Sequence, residues 1–366
     1  MNRLKLVKHL NYYNDSSAIP FEEKTILRNG FRVEITPKEK QLCRIASKVN
    51  ASMPDYSGGF SVPELYNSKM QNVTFFGNSG GILNSQGKIV IESLMNIARM
   101  YSSYIFRVPG LFLTSNLKSS SYTSILHLPW AETSIYHFFI DVMPRLYVLS
   151  FFKNESITII INHDVSDFQW QILKTFKVSY RNFKFIKIKR YQKFKISDYV
   201  FPSFSSLNNN GYLDDNILTF VTGLTRLAFG TELNINKNRR IYISRKYADK
   251  RKLANETEVQ KILTNFGFEV VYAEHLNYKM QIELFESSNF IIGVHGAGLT
   301  NMIFCSKNTK IIEIHCHNNV NTHYCFMAKS CKLDYSYIIG SKEDKNGYFN
   351  IDITLLEKEL KEFKIN

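Results

Sequence analysis

The chain has 366 residues, of which 44% are apolar and 21% are charged, and its formal net charge is +14. This length favours two domains over one core, and no segment approaches about eighteen consecutive apolar residues, which argues against a transmembrane helix. The opening residues, MNRLKLVKHLNYYNDSS, lack the apolar stretch of a signal peptide, so we expect a cytoplasmic protein. The five cysteines form no CxxC pair, which suits reduced thiols.

The N-terminal half predicts a β-rich, irregular start followed by a small α/β domain. Within residues 1–125, glycine and asparagine punctuate short strands in NSGGILNSQGKIVIES. From Ser134 the pattern becomes helix, strand, helix, strand, in the segments SIYHFFIDVMPRLYVLSFF, SITIIIN, DFQWQILKTFK and NFKFIKI. We therefore predict one domain over 1–229 and a polar linker, GTELNINKNRR, at 230–240.

A basic segment, RNFKFIKIKRYQKFK, runs from Arg181 to Lys195 and alternates cationic with apolar residues. Alternation of period two predicts a strand with one cationic face. That face is either simply solvated or it contacts the anionic headgroups of a membrane. No recognised nucleic-acid motif accompanies it, so we expect no nucleic-acid partner. The lysine-rich composition would also arise from an AT-rich genome, in which case the charge has no functional cause.

The C-terminal half alternates strands with helices and predicts a Rossmann-like domain over 230–366. The strands are RRIYISR (239–245), FEVVYA, NFIIG and TKIIEIH, and the helices are NETEVQKILTNFG, NYKMQIELFESS, Leu299–Cys305 and a final amphipathic LLEKELKEF. Asn255 and Glu258 predict a capping box at the start of the first helix, and Gly267 predicts its end. Short loops between strands and helices indicate a parallel sheet with right-handed crossovers.

Three polar residues, His137, Asp141 and Arg145, recur at a spacing of four in the aromatic helix that follows Ser134. This spacing places them on one helical face, and Pro144 should kink the helix beside Asp141. They form either a structural network or the wall of an active site. In the second case Asp141 is the first candidate for the catalytic base and His137 the second, and Arg145 and Tyr136 contact the substrate.

A glycine-rich corner, NFIIGVHGAGLTNMIF, joins a predicted strand to a predicted helix. Its G-x-x-G-x-G order differs from the dinucleotide fingerprint, and it lacks the lysine of a P-loop, which disfavours a nicotinamide cofactor and ATP. A helix N-terminus after such a turn favours a phosphate, bound by the N–H groups near Gly298 and Leu299 and by a hydrogen bond from His295. The alternative for His295 is a helix cap or a core histidine.

Further polar residues fall at the carboxyl ends of the predicted parallel strands, where ligands bind in open α/β sheets. Arg245 should share a crevice with His295, and Glu313 should accept hydrogen bonds from ribose hydroxyls. Together these residues describe a nucleoside diphosphate site. The predicted contacts are Ser244, Arg245, His295, Gly296, Ala297, Gly298, Leu299, Thr300, Asn301 and Glu313.

The same residues carry a resemblance to glycosyltransferase family 61. The matching pieces occur in the family's order: YHFFIDVMPRL, YISR with Arg251 and NETE downstream, MQIELF, GVHGAGLTN and IIEIH. The resemblance implies a GT-B-type α/β fold, with two Rossmann-like domains facing a cleft and the donor site in the C-terminal one. It also implies inverting transfer from a nucleotide sugar, most often a UDP sugar, to a glycan or lipid-linked glycan acceptor.

No Asp-x-Asp, the usual handle for a divalent cation on a nucleotide sugar, occurs in the chain. We therefore expect no metal or other cofactor, with protein groups meeting the charge of the diphosphate. A rival zinc site would use His315, Cys316, His317, His323 and Cys325.

The prediction is an inverting, metal-independent glycosyltransferase of the cytoplasm or the inner membrane face, which acts in bacterial surface-polysaccharide synthesis. The alternatives are a non-catalytic nucleotide- or carbohydrate-binding protein on the same fold, and a nucleic-acid-binding protein.

Overall fold

The computed structural model describes residues 23–77, 80–93, 114–117, 120–125, 134–189, 192–206, 210–231 and 237–363. These residues divide into two compact units, the first comprising 23–31 and 61–206 and the second 32–60 and 210–363. This division differs from the predicted boundary at 229, because segment 32–60 and the helix before Gly230 group with the second unit. The predicted start of the chain and the middle of the predicted linker, 232–236, lie outside the described residues.

The described strands follow one another along both units. In chain order they are β1 (Glu23–Arg28), β2 (Phe31–Val33), β3 (Phe60–Val62), β4 (Leu65–Phe76), β5 (Ile82–Leu83), β6 (Thr114–Leu117), β7 (Ser121–Ser124), β8 (Ile157–Asn162), β9 (Phe183–Ile188), β10 (Lys193–Pro202), β11 (Arg239–Ile243), β12 (Lys252–Leu253), β13 (Phe268–Val271), β14 (Ser288–Val294), β15 (Lys310–His315), β16 (Asp334–Ile339) and β17 (Tyr348–Phe349).

The described helices include one interrupted by a π-helical turn. They are α1 (Pro37–Val49), α2 (Ile135–His137), the π turn Phe138–Val142, α3 (Met143–Leu149), α4 (Asp167–Ser179), α5 (Asp215–Phe229), α6 (Glu256–Asn265), α7 (Tyr278–Glu286), α8 (His323–Ser330) and α9 (Ile353–Glu362). Short 3₁₀ helices occur at Ile91–Ser93, Ala273–His275, Ala297–Phe304 and His317–Asn319. Over the described ranges, no helix has both the length and the apolar character needed to cross a membrane.

The first unit contains a mixed sheet of eight strands in the order β1-β4-β10-β7-β8-β9, with β5 on β4 and β6 on β10. Strands β7, β8 and β9 are parallel, and α4 connects β8 to β9, so the predicted alternation after Ser134 is confirmed. All six residues of β8 are buried, as expected for a strand covered on both faces. The predicted turn around Gly87 is also present, with φ +75° at that glycine, whereas residues 78–79 lie outside the described residues.

The basic segment is not the single strand that its alternation predicted. Its residues divide between β9 and β10, and 190–191 lie outside the described residues. Strand β9 is an edge of the sheet, and its Lys184 and Lys187 are exposed. Lysine on an exposed edge also prevents pairing with another chain, so the charge has a structural use as well.

The second unit contains a five-stranded parallel sheet in the order β13-β11-β14-β15-β16. This order confirms the predicted Rossmann-like character of the region, although β16 and α8 were not predicted. Because the chain leaves β11 first to one side and then to the other, the topological switch point lies between β11 and β14. The carboxyl ends of these two strands are therefore the expected place for a ligand.

Helix α6 ends as its sequence predicts, but its start is held differently. Asn255 occupies the cap position, but its side chain makes no capping hydrogen bond. It bonds instead to the backbone of Ile351, donating to the carbonyl at 2.9 Å and accepting from the amide at 3.3 Å. The capping box was therefore wrong, whereas Gly267 does follow the helix with φ +74°.

Candidate functional site

The site in the second unit begins at the switch point. Ile243, the last residue of β11, pairs with Gly293 of β14, so Arg245 and Gly296 emerge from neighbouring strands. A methyl group on Gly296 would lie 1.8 Å from Nη1 of Arg245 and 2.8 Å from its Cζ. The guanidinium therefore rests directly on the backbone of the glycine corner, which explains why a side chain is missing there.

A second arginine, Arg251, shares this space. It lowers the pKa of Arg245, which burial has already lowered. Arg245 donates only to the carbonyl of Lys250, from Nη2 at 3.1 Å and Nε at 3.4 Å. Arg251 has φ +57°, and its backbone N–H donates to Glu343 at 2.6 Å. Among the described residues neither guanidinium forms an ion pair with a carboxylate, so this pair of cations is suited to an anionic ligand.

The amides of the corner are only partly available. His295 N–H donates to the carbonyl of Ile314 at 2.8 Å, and Leu299 N–H donates to Gly296 at 3.0 Å. The Leu299 amide, predicted as a phosphate donor, therefore already has a partner within the corner. Ala297 is exposed and Gly298 half-buried at the start of the 3₁₀ helix, so their amides are the ones a phosphate could reach.

Three other predicted contacts are structural. Ser244 is buried and donates to Glu256 at 2.7 Å. Thr300 and Asn301 are fully buried. The Thr300 hydroxyl lies 3.3 Å from that of Tyr324, and Asn301 accepts from Tyr278 at 3.1 Å. These side chains, predicted as ligand contacts, form hydrogen bonds that hold the corner in place.

His295 was predicted to donate to a phosphate, but in the structure both of its ring nitrogens have protein partners. Its Nδ1 bonds to Glu313, and its Nε2 lies 2.7 Å from Nδ2 of Asn321. Because Oδ1 of Asn321 accepts the His323 amide at 3.1 Å, the asparagine presents its NH₂ group and Nε2 of His295 accepts. Burial lowers the pKa of His295 to about 4, more than the partly opposing effect of Glu313. The ring is therefore neutral, and it positions the corner.

Glu313, predicted to bond to ribose hydroxyls, is fully buried and has no exposed carboxylate oxygen to offer a ligand. Oε1 bonds to His295, and Oε2 accepts from the Tyr335 hydroxyl at 2.6 Å. Burial raises the pKa of Glu313, but His315 and His295 outweigh it, so the net pKa lies below its usual value. The Glu313 carboxylate is thus ionised and fixes the position of the His295 ring through their hydrogen bond. Asn321 and Tyr335, which complete this network, carried no signal in the sequence.

The same network contains the one group of potential metal ligands found among the described residues. Atoms of His295, Glu313 and His315 lie within 4.8 Å of one another, and all three residues are buried. Protein hydrogen bonds already engage both His295 nitrogens and both Glu313 oxygens, so a metal would have to displace them. Of the predicted zinc set His315, Cys316, His317, His323 and Cys325, only His315 belongs to this group.

In the first unit, the predicted pair of His137 and Asp141 is formed. Nδ1 of His137 lies 2.7 Å from Oδ2 of Asp141. The side chain of His137 is 17% exposed and that of Asp141 is 0% exposed. The π turn between them ends with Met143 N–H bonded to the carbonyl of Phe138. Pro144 cannot donate the next helical bond, which accounts for a widened turn at this place.

Arg145 and Tyr136, the predicted substrate contacts, are both buried. Arg145 donates from Nε to the carbonyl of Pro202 at 3.2 Å, and its guanidinium lies 4.8 Å from the ring centre of Phe204. Burial lowers its pKa to about 10, against the opposing effects of Tyr199 and Asp141. The ring of Tyr136 packs edge-on against that of His137 at 5.2 Å. Tyr136 therefore packs against His137, and Arg145 lies close enough to Asp141 for the carboxylate to affect its pKa.

Comparison with known proteins identifies this region. The family model Glycosyltransferase 61 matches residues 135–312, a range that contains His137, Asp141, Arg245, Arg251 and the glycine corner. Over these residues the match confirms the predicted resemblance to glycosyltransferase family 61.

Three plant proteins are similar over shorter stretches. Two are beta-1,2-xylosyltransferases of Oryza sativa subsp. japonica, 34% identical over 111 residues (29% of this chain, 19% of the relative) and 31% identical over 64 residues (18% and 12%). The third is a beta-1,2-xylosyltransferase of Arabidopsis thaliana, 35% identical over 75 residues (20% and 14%). The matches thus span less than a fifth of each relative's length.

Proposed function

We propose that this protein is an inverting, metal-independent glycosyltransferase that moves a sugar from a nucleotide sugar to a glycan or lipid-linked glycan acceptor. The observation that carries the proposal is the pair Arg245 and Arg251, held beside the glycine corner without a carboxylate partner among the described residues. Preorganised cations at a topological switch point are suited to a diphosphate. The GT-B assignment rests on the family resemblance alone.

In the proposed reaction the acceptor hydroxyl attacks the anomeric carbon while the bond from that carbon to the diphosphate oxygen breaks. Negative charge then accumulates on the leaving diphosphate. Arg245, Arg251 and the amides of Ala297 and Gly298 would stabilise this charge, so the reaction requires no divalent cation. The acceptor proton passes to a base on the protein.

We assign the base to His137 in preference to Asp141. Asp141 has no exposed side-chain surface, whereas His137 is 17% exposed and receives its orientation from the carboxylate. With Nδ1 bonded to Asp141, Nε2 is the basic atom of the ring. Asp141 would stabilise the imidazolium that forms, as buried carboxylates do in comparable pairs.

The proposal also covers the donor sugar and the cellular setting. The names of the relatives make UDP-xylose the first donor to test, and the resemblance favours UDP sugars in general. The relatives found are plant proteins, so the bacterial surface-polysaccharide setting and the cytoplasmic location rest only on the sequence. The exposed Lys184 and Lys187 of β9, with Lys187 placed 4.9 Å from the ring of Trp170, would favour peripheral contact with an anionic membrane.

Calorimetric titration with UDP tests the proposal. We expect Arg245→Ala and Arg251→Ala each to weaken binding by about ten- to a hundredfold, since each removes a charge-assisted contact. Arg239→Ala is the matched control, because Arg239 lies at the opposite end of β11 and pairs with Glu269. Equal UDP affinity in all four proteins would contradict the proposed site.

A further inference from the structure

Three aromatic rings form an exposed cluster beside the arginine pair. Tyr247 lies 5.4 Å from Tyr272 and 5.0 Å from His275, between ring centres, and Tyr272 lies 5.7 Å from His275. Tyr247 is 55% exposed, His275 is exposed and Tyr272 is half-buried. A single exposed aromatic residue is common on protein surfaces, but neighbouring exposed rings are typical of a ligand-binding surface.

The cluster belongs to the same edge of the parallel sheet as the glycine corner. Tyr247 follows β11 by four residues, and Tyr272 and His275 follow β13, the neighbour of β11. A methyl group on Gly298 would lie 3.9 Å from Cβ of Ala273. The turn that carries Tyr272 and His275 is thus in contact with the open end of the corner.

A second observation ties this turn to the cations. Glu274, which lies between the ring-bearing residues, is close enough to Arg245 to raise its pKa against the larger effect of burial. The Glu274 carboxylate is exposed, unlike that of Glu313. Glu274 therefore provides an exposed carboxylate that can accept hydrogen bonds from hydroxyl groups at this edge of the sheet, a role that the buried Glu313 cannot fill.

We propose that Tyr247, Tyr272 and His275 form the nucleoside subsite of the donor, with the base stacked on the exposed rings and the ribose beside Glu274. This inference rests on the proposed function, since it places the nucleoside next to a diphosphate held by Arg245 and Arg251. Aromatic rings stack with any base, because every base has a π face. The cluster therefore explains affinity for a nucleoside, and it leaves the choice of base to other contacts.

Comparison of nucleotide with pyrophosphate isolates the subsite. We would titrate the full chain with UDP, GDP, CDP, ADP and inorganic pyrophosphate, and then follow the tightest nucleotide in Tyr247→Ala and in Tyr247→Ala/His275→Ala. We expect nucleotide affinity to fall by about five- to a hundredfold and pyrophosphate affinity to stay unchanged. Tyr247→Phe, which keeps the ring, should bind like the wild type.

The matched control is Phe151→Ala, which removes an exposed ring of an edge-on pair in the first unit. Unchanged nucleotide affinity in the double variant would overturn the subsite, and so would equal losses of nucleotide and pyrophosphate, since those point to a disturbed arginine pair. If the wild type bound none of the five ligands, the proposed function itself would fail. The two failures are therefore distinguishable.

Discussion

Burial distinguishes His137 from Asp141, two residues on the same face of one helix. From the sequence alone, Asp141 was the first candidate for the base and His137 the second. In the structure they bond to each other, but only His137 has an exposed side chain. The spacing of four predicted their contact, because side chains one turn apart meet on a helix. It did not predict which partner faces solvent, since that depends on what packs over the helix.

This assignment makes a prediction for turnover. His137→Ala should lower turnover by about two to four orders of magnitude, the usual contribution of a general base. Asp141→Asn should lower it less, because the imidazole remains and loses only its charged partner. UDP affinity, measured by calorimetry, should be retained in both variants. A purely structural pair would instead lower the melting temperature and leave the turnover of the folded fraction near normal.

His295 provides a prediction for stability against pH. Its pKa in the folded protein is about 4, below the ordinary value of 6.5. Between these values the unfolded chain binds a proton that the folded chain does not. The free energy of unfolding should therefore fall as the pH is lowered from about 6.5 to about 4, and the lowered pKa of Glu313 acts in the same direction.

Urea unfolding of the wild type and His295→Gln over this pH range measures the effect. The variant should be less stable at neutral pH, and its stability should depend less steeply on pH. His163→Gln serves as the control, because His163 has an exposed side chain. An unchanged slope in His295→Gln would show that this histidine does not titrate as described.

At the scale of elements, the glycine corner shows how far local pattern reaches. The order strand, glycines, helix predicted a close approach to the backbone, and the close approach is real. The group that approaches Gly296 in the structure is the guanidinium of Arg245, which precedes it by 51 positions in the chain. Sequence pattern alone cannot supply that contact, because it arises from the pairing of β11 with β14.

Gly296→Ala tests this contact. The new methyl group would overlap Nη1 of Arg245 at 1.8 Å, and the flexible side chain would have to move away. We expect UDP affinity to fall to the level of Arg245→Ala, with little change in melting temperature. Combined with Arg245→Ala, the substitution should cause no further loss, since both remove the same interaction.

Gly223→Ala is the control for this cycle, because a methyl group there meets nothing within 4 Å. If the losses from Gly296→Ala and Arg245→Ala simply added, the two residues would act independently and the contact would not matter for binding.

At the scale of the molecule, the sequence predicted the parallel sheet of the second unit better than it predicted the extent of that unit. Alternation of strands and helices is local, so β11, β13, β14 and β15 were predicted. Segment 32–60 joins the second unit through distant contacts, such as the ion pair of Glu39 with Lys329 at 3.1 Å. The position of α5 depends likewise on the bond from Leu213 to Ser330 at 2.8 Å. No local pattern encodes these contacts.

The burial of the site residues also could not be predicted from the sequence. Glu313 and His295 were correctly placed near the carboxyl ends of strands, yet their side chains point into the core and bond to each other. The partners that decide this, Asn321 and Tyr335, come from regions in which no element was predicted. The arginine that completes the cationic pair, Arg251, stood within a recognised motif without an assigned role.

The most direct test of the account is cleavage of a nucleotide sugar by the purified chain, with water taking the place of the acceptor hydroxyl. We would incubate it with UDP-xylose and other nucleotide sugars in the presence of EDTA and measure the released nucleoside diphosphate. We predict release by the wild type and by Arg239→Ala, and loss of release in Arg251→Ala by at least about tenfold. No release from any donor, or equal release by the wild type and Arg251→Ala, would contradict the account, and release that requires added Mn²⁺ would contradict its metal independence.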